Sequence, residues 1–114
     1  MQNFFECIDL SDNELRRLGN FTNLDRLTSI VATNNRIKAI SPDLAESLPN
    51  LENLFLMNNK IGDLEEVAKL AACKKLQRLV LANNLVAELP NYRLFTIAKI
   101  PSLRILDFTK VSAK

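Results

Sequence analysis

Leu51-Glu52-Asn53-Leu54-Phe55-Leu56-Met57-Asn58-Asn59-Lys60-Ile61 carries the pattern that decides the fold. Apolar residues at 51, 54, 56 and 61 frame an asparagine at 59, the arrangement L-x-x-L-x-L-x-x-N-x-L. The same frame fits Leu27, Ile30, Ala32, Asn35, Ile37, and again Leu76, Leu79, Leu81, Asn84, Val86. It also fits Phe5, Ile8, Leu10, Asn13, Leu15, whereas a fifth copy opens with Leu103, Leu106, Phe108 and fails at Val111, where the asparagine should stand. The asparagines lie 22, 24 and 25 residues apart, within the roughly 20–29 of leucine-rich repeats.

Each position in the frame has a physical cause. The L-x-L alternation has period two, so both apolar residues face one side of a short strand. Stacked in parallel about 4.8 Å apart, such strands merge their apolar sides into one core. The asparagine falls where the chain bends out of the strand and leaves backbone groups without ladder partners. Its amide both donates and accepts, so Asn13, Asn35, Asn59 and Asn84 form a structural ladder that pairs those groups repeat by repeat. The fold class is α/β: a leucine-rich-repeat solenoid with a curved parallel sheet on the concave face, helices and turns on the convex face, and a C-terminal cap.

The returning segments read as short helices. Leu64, Val67, Leu70 and Cys73 recur at three-residue spacing behind Asp63 as N-cap, with Glu65 and Glu66 in the first turn. Ser41-Pro42-Asp43-Leu44 opens a helical turn that runs through Leu48, with Ser41 as cap, Pro42 at the first position and Pro49 as the stop. Phe21 and Leu24 fill the convex side of the shortest return. Tyr92 to Ile100 is a helical run stopped by Pro101, and the polar stretch Thr109, Lys110, Ser112, Lys114 covers the open end of the stack. Residues 1–114 thus read as a single leucine-rich-repeat domain of about four repeats with a capping segment over 90–114. At the other end Met1 to Phe5 is too short to cap anything, and Phe4 and Phe5 face an open edge; the chain reads as truncated there.

Composition narrows the chemistry. The 114 residues include 20 Leu and 13 Asn but 2 Gly, no His and no Trp. Without imidazole there is no histidine base and no histidine-containing zinc site. Two glycines do not make a phosphate-cradling loop. No nucleophile–base pair or paired carboxylate emerges, so the chain reads as non-enzymatic, with no cofactor, metal or small-molecule substrate. A net charge of +2 is weak for a domain that grips nucleic acid by charge alone. Cys7 and Cys73 are too few for a disulfide framework and suit a reducing compartment, and no apolar run approaches the ~20 residues of a membrane span.

The candidate binding surface is the concave sheet, where side chains between the core positions project. The central column is Asp9, Val31, Phe55, Val80, Asp107; beside it run Ser11, Thr33, Met57, Ala82, Thr109 and, on the other side, Cys7, Ser29, Asn53, Arg78, Ile105. Val31, Phe55, Met57, Val80 and Ala82 make an apolar patch with Asp9 and Asp107 at the ends of the central column, and partial burial with β-propensity alone is the competing explanation for it. With Arg78, these are the partner-binding candidates, Phe55 and Met57 as anchors. Five strands span roughly 20 Å, room for one helix about 10–12 Å across. A partner helix with basic ends would match Asp9, Asp12 and Asp107.

Ile8-Asp9-Leu10-Ser11-Asp12-Asn13-Glu14-Leu15-Arg16-Arg17-Leu18, Asn34-Asn35-Arg36-Ile37 and Ala45-Glu46-Ser47-Leu48-Pro49 resemble the A-prime family of the spliceosomal U-two small nuclear ribonucleoprotein. So does the cap, Tyr92-Arg93-Leu94, Ile97, Lys99-Ile100-Pro101 and Leu106-Asp107-Phe108-Thr109-Lys110-Val111. Leu85 departs from the proline that many members carry after the repeat asparagine. The resemblance implies a nuclear scaffold whose concave face cradles one helix of an RNA-recognition-motif protein, B-double-prime, and supports its recognition of a small nuclear RNA stem-loop in pre-mRNA splicing. RNA contact would come mostly through that partner. The Tyr-Arg and Leu-Asp-Phe cap also resembles tubulin-folding cofactors, axonemal dynein light chains and phosphatase regulators, so an adaptor for tubulin, a dynein motor or a phosphatase is the alternative.

Overall fold

The computed structural model describes residues 6–111. Parallel strands stack in chain order where the repeat frame places them: β1 (Glu6–Asp9), β3 (Leu27–Val31), β5 (Asn53–Phe55), β6 (Arg78–Val80) and β7 (Ile105–Leu106). An antiparallel β8 (Thr109–Lys110) closes the row, and β2 (Arg17–Leu18) pairs with β4 (Ala39–Ile40) in a separate small parallel sheet. Asp9 pairs with Val31, Val31 with Phe55 and Phe55 with Val80, so the frame stacks in register from Cys7 onward, the pairing shifting between Glu6 and Cys7 at the start of β1. Alternation sends Ile30, Leu54, Leu79 and Leu106 inward, where they are fully buried together with Ala32, Leu56 and Leu81. Ile8 and Leu10, on the outermost repeat, are only partly buried. Positions assigned to Met1, Phe4 and Phe5, and to Ser112 and Lys114, lie outside the described residues.

The asparagines tie each bend to its neighbours. Asn59 Nδ2 donates to the Leu56 carbonyl of its own repeat at 2.9 Å and to Ala32 of the preceding one at 3.0 Å, while its Oδ1 accepts from the Ile37 N–H at 3.0 Å. Asn35 and Asn84 repeat that arrangement with Leu15 and Ile61 as the N–H donors. Asn13 is exposed and, among the described residues, only donates, to Leu10 and Ser11 carbonyls. A second row, unread in the sequence, runs one residue earlier. Asp12, Asn34, Asn58 and Asn83 all sit at φ near 60°, a backbone region that Asn and Asp enter more readily than other side chains. Asn58 Nδ2 reaches Asn34 Oδ1 at 2.7 Å and Asn34 Nδ2 reaches Asp12 Oδ1 at 2.9 Å. The Asp-Asn and Asn-Asn pairs in every repeat are the sequence signal for it.

On the convex side the elements are short: α1 (Leu44–Ser47), α2 (Leu64–Ala68) continued by a 3-10 turn over Lys69–Ala72, and a second 3-10 turn over Leu85–Glu88. With 22–25 residues between successive bends, little chain remains for a longer helix. α1 starts at Leu44 rather than at Pro42, because the Leu44 N–H closes a turn onto the Ser41 carbonyl and the Ser41 hydroxyl donates to Asp43. Asp63 holds the N-cap position of α2 but its carboxylate makes no capping hydrogen bond. Gly19, just beyond β2, lies so close to Ser41 that an added Cβ would collide with the serine Cβ. Two-residue strands carry no periodicity, which is why β2 and β4 left no trace in the repeat frame.

The C-terminal cap ends the fifth strand with a side chain in place of a carbonyl. In the interior, Ala32 N donates to Phe55 O at 2.8 Å and Leu56 N to Val80 O at 2.9 Å. The equivalent Leu81 N–H meets the Asp107 carboxylate, Oδ1 at 2.6 Å, instead of a carbonyl. Asp107 and Phe108 both have positive φ, 50° and 69°, and form the two-residue turn that folds β8 back onto β7. The Tyr92 hydroxyl, at the start of α3 (Tyr92–Lys99), donates to Asp107 Oδ2 at 2.6 Å. Arg93 donates to the carbonyls of Leu106, Thr109 and Lys110, clamping both arms of the hairpin. Phe108 therefore does not fill the core of a fifth strand as the repeat frame assigns it: the turn swings it outward, 71% exposed.

Candidate partner-binding face

The three columns of the concave face emerge in register from β1, β3, β5, β6 and β7, and each has its own character. One side is polar: Asn53 Nδ2 donates to Ser29 Oγ at 2.8 Å and Arg78 Nη1 to Asn53 Oδ1 at 3.1 Å, which draws the Arg78 guanidinium along the sheet. The centre is apolar, with Val31 and Phe55 partly buried and Val80 4% exposed. Met57 and Ala82, in the third column, are partly buried, and Thr33 stands between Ser11 and Met57 with its N–H on the Ser11 hydroxyl. Val31, Thr33, Phe55, Met57, Val80 and Phe108 enclose a shallow groove of about 270 Å³. Ala82, Asp9 and Arg78 lie outside its lining.

The charges differ from those the columns suggest. Asp9 is exposed on β1, and the Ser11 N–H at 2.9 Å, then the Ser11 hydroxyl, hold its carboxyl below the usual value, so it stays ionised. Asp107 does not offer a second free acid at the other end. Both of its oxygens are engaged, by Leu81 N–H and Tyr92 hydroxyl, and burial together with that carboxylate pushes the Tyr92 hydroxyl well above its ordinary value. Tyr92 is thus a permanent donor. The physical reason is the cap: the terminating strand needs a side-chain acceptor where the next repeat would have supplied a carbonyl. The face is acidic at the Asp9 and Asp12 end alone, with Arg78 and Lys110 exposed toward the other.

Two residues of the groove, Phe108 and Thr33, fall outside the partner-binding candidates that the columns give. Phe108 follows a two-residue strand and is not a residue type that favours φ > 0, so nothing in its identity announces a turn. Thr33 was placed in its column but not among the contact residues. Beyond the sheet, a second groove of about 460 Å³ opens at the N-terminal ends of the strands, lined by Glu52, Lys74, Lys75, Gln77 and Arg104 among others. Cys73 is buried in the core, which pushes its thiol up to about 11, while Cys7 is exposed on the polar column. Among the described residues no group of three or more His, Cys, Asp or Glu is placed to hold a metal, and no helix is long and apolar enough to cross a membrane.

Comparison with known proteins places this architecture. The leucine-rich-repeat family model matches residues 1–114. The chain is 49% identical over 110 residues to the U2 small nuclear ribonucleoprotein A' of Arabidopsis thaliana, covering 96% of this chain and 44% of that protein. The human protein of the same name is 43% identical over 110 residues, with 96% and 43% covered. A solved structure, that of the Drosophila melanogaster SNF/U2A' complex, superposes with a TM-score of 0.92 at 42% identity, covering 95% of this chain and 62% of that one. The chain spans less than half the length of these curated relatives. A frame of repeats, a concave parallel sheet and a Tyr–Asp-latched cap, matched from end to end, lead to one statement: the chain belongs to the leucine-rich-repeat family, and the U2 small nuclear ribonucleoprotein A' proteins are its homologues within it.

Proposed function

We propose that this chain is a non-catalytic scaffold of the U2 small nuclear ribonucleoprotein that holds an RNA-recognition-motif protein of the B-double-prime kind on its concave face. In that role it supports the partner's recognition of a small nuclear RNA stem-loop in the nucleus during pre-mRNA splicing. The observation that carries the reading is the apolar groove on a polar-bordered sheet, in a chain that superposes on a U2A' protein solved in complex with SNF. Solvent-facing sheet positions filled by Val31, Phe55 and Met57 call for a covering partner, and the roughly 20 Å that five strands span accommodates a single helix. Asp9 and Asp12 orient that helix, favouring a basic residue at the β1 end. RNA contact is secondary, through the rim: Lys74, Lys75 and Arg104 form its most cationic stretch, although Glu52 sits among them.

Calorimetric titration of the 114-residue chain with recombinant Drosophila SNF tests the proposal. One-to-one binding is expected, weakened roughly tenfold or more by Phe55→Ala, with a smaller loss from Met57→Ala. In the ternary complex with the stem-loop RNA, Lys74→Gln with Lys75→Gln should lower the salt dependence of RNA binding by roughly one to two ion equivalents. Absence of SNF binding, or binding indifferent to Phe55, overturns the assignment. Recovery of tubulin or a phosphatase in place of small nuclear RNA would favour an adaptor role.

A further inference from the structure

Phe108 stands out from the other residues of the groove because it comes from the hairpin turn of the cap, whereas the others lie on β3, β5 and β6 or just beyond their ends. It projects from the β7–β8 turn, 71% exposed, yet lines the same groove as Phe55 and Val80. Its backbone lies at φ 69°, a region in which a bulky side chain is a genuine outlier and glycine is at ease. A cap that needed only to reverse the chain would be better served by a small residue. Here an aromatic ring is both held in an unfavourable backbone and left in water. Its position is over-determined by neighbours: Asp107 is fixed by Leu81 N–H and the Tyr92 hydroxyl, and Arg93 grips the carbonyls on either side of the turn. Strained residues fixed in this way concentrate where a ligand is held.

We propose that Phe108 is a preset anchor for the partner, closing the groove at the end away from Asp9, and that Tyr92, Arg93 and Asp107 are positioning residues that hold the ring in place before the partner arrives. The inference rests on the partner reading of the concave face. Phe55 and Phe108 then grip one apolar side chain of the partner helix from two sides, and the ring contributes without being ordered on binding. The cap thereby serves two purposes with one set of contacts, ending the sheet and setting the far wall of the groove.

Titration with Drosophila SNF, alongside thermal unfolding of each variant, separates the possibilities. F108G is expected to weaken binding roughly tenfold or more while leaving the unfolding midpoint unchanged or raised, because glycine relieves the left-handed turn. Y92F, which keeps the ring but loses the hydroxyl, should weaken binding severalfold in the parent chain and hardly at all in the F108G background. F55A serves as the reference for the groove itself. Weakening by F55A with none by F108G overturns the anchor while sparing the groove. Equal losses from Y92F with and without Phe108 overturn the positioning role. If the parent chain fails to bind, or neither F55A nor F108G has an effect, the groove reading falls and takes this one with it.

Discussion

Each buried ladder asparagine serves two repeats, and the bookkeeping of its bonds shows what a truncation would orphan. The Ala32 carbonyl accepts from both Asn35 and Asn59, and the Leu56 carbonyl from both Asn59 and Asn84. Asn59→Ala therefore leaves those carbonyls one donor each, and the group that loses everything is the buried Ile37 N–H. An unpaired buried donor costs about 1–3 kcal/mol, and the lost amide adds a small void. Asn59→Ala should destabilise by about 2–4 kcal/mol, and Asn13→Ala, whose amide only donates from an exposed site, by under about 1 kcal/mol. Denaturant unfolding of the two variants checks the contrast; equal losses would mean that the ladder is not what stabilises the bends.

At the level of elements, the convex sheet shows how a two-stranded ribbon is finished without a third strand. The free edge of β4 is met by side chains of the next repeat: Ile40 N–H donates to Glu66 Oε1 at 2.8 Å, and Lys69 Nζ donates to Ile40 O at 3.1 Å and to Glu66 Oε1 at 2.9 Å. Burial works against the Glu66 charge, but the Ile40 N–H, Lys69 and Arg17 outweigh it and hold the carboxyl below its usual value. Its folded-state value is thus lower than its unfolded one. The stabilisation is complete above the unfolded value and is lost as pH falls through the folded one. Glu66→Gln should be less stable than the parent chain near neutral pH by up to about 1 kcal/mol, screening included. The gap should narrow as pH falls below the ordinary glutamate range and close once it has passed the lower folded-state value. Thermal midpoints across that range measure it, and a gap independent of pH would contradict the ionic reading. None of this edge was legible in the sequence, because Glu66 and Lys69 read as helix-surface charges until β4 exists. The parallel strands of the concave sheet are legible because every repeat states them again, whereas Phe108 breaks the frame because it lies beyond the last repeat asparagine, Asn84.

Taken as a whole, the molecule is a row of units in which each mostly contacts its neighbours. β5 and β6 are flanked on both sides and carry fully buried Leu54 and Leu79, whereas β1 pairs with β3 alone among the described residues and keeps Glu6, Cys7 and Asp9 exposed. Native-state hydrogen exchange should find β5 and β6 amides slowest and β1 amides fastest; uniform protection along the row would contradict a graded stack. The proposed binding groove draws its members from β3, β5 and β6, the residues just beyond them and the cap turn, the better-buried part of the row. The carboxylate of Asp107 gives the row a direction. By taking the Leu81 N–H that the main-chain carbonyl at this position would claim in an ordinary repeat, it ends the β6–β7 ladder, and β8 folds back to cover the outer edge of β7 with its polarity reversed. Lengthening or shortening such a protein by whole repeats must therefore occur upstream of the cap. A unit of about 24 residues can be spliced between Asn35 and Asn59 with every ladder bond remade, but the same unit appended after Lys110 finds no strand edge of the right sense to join.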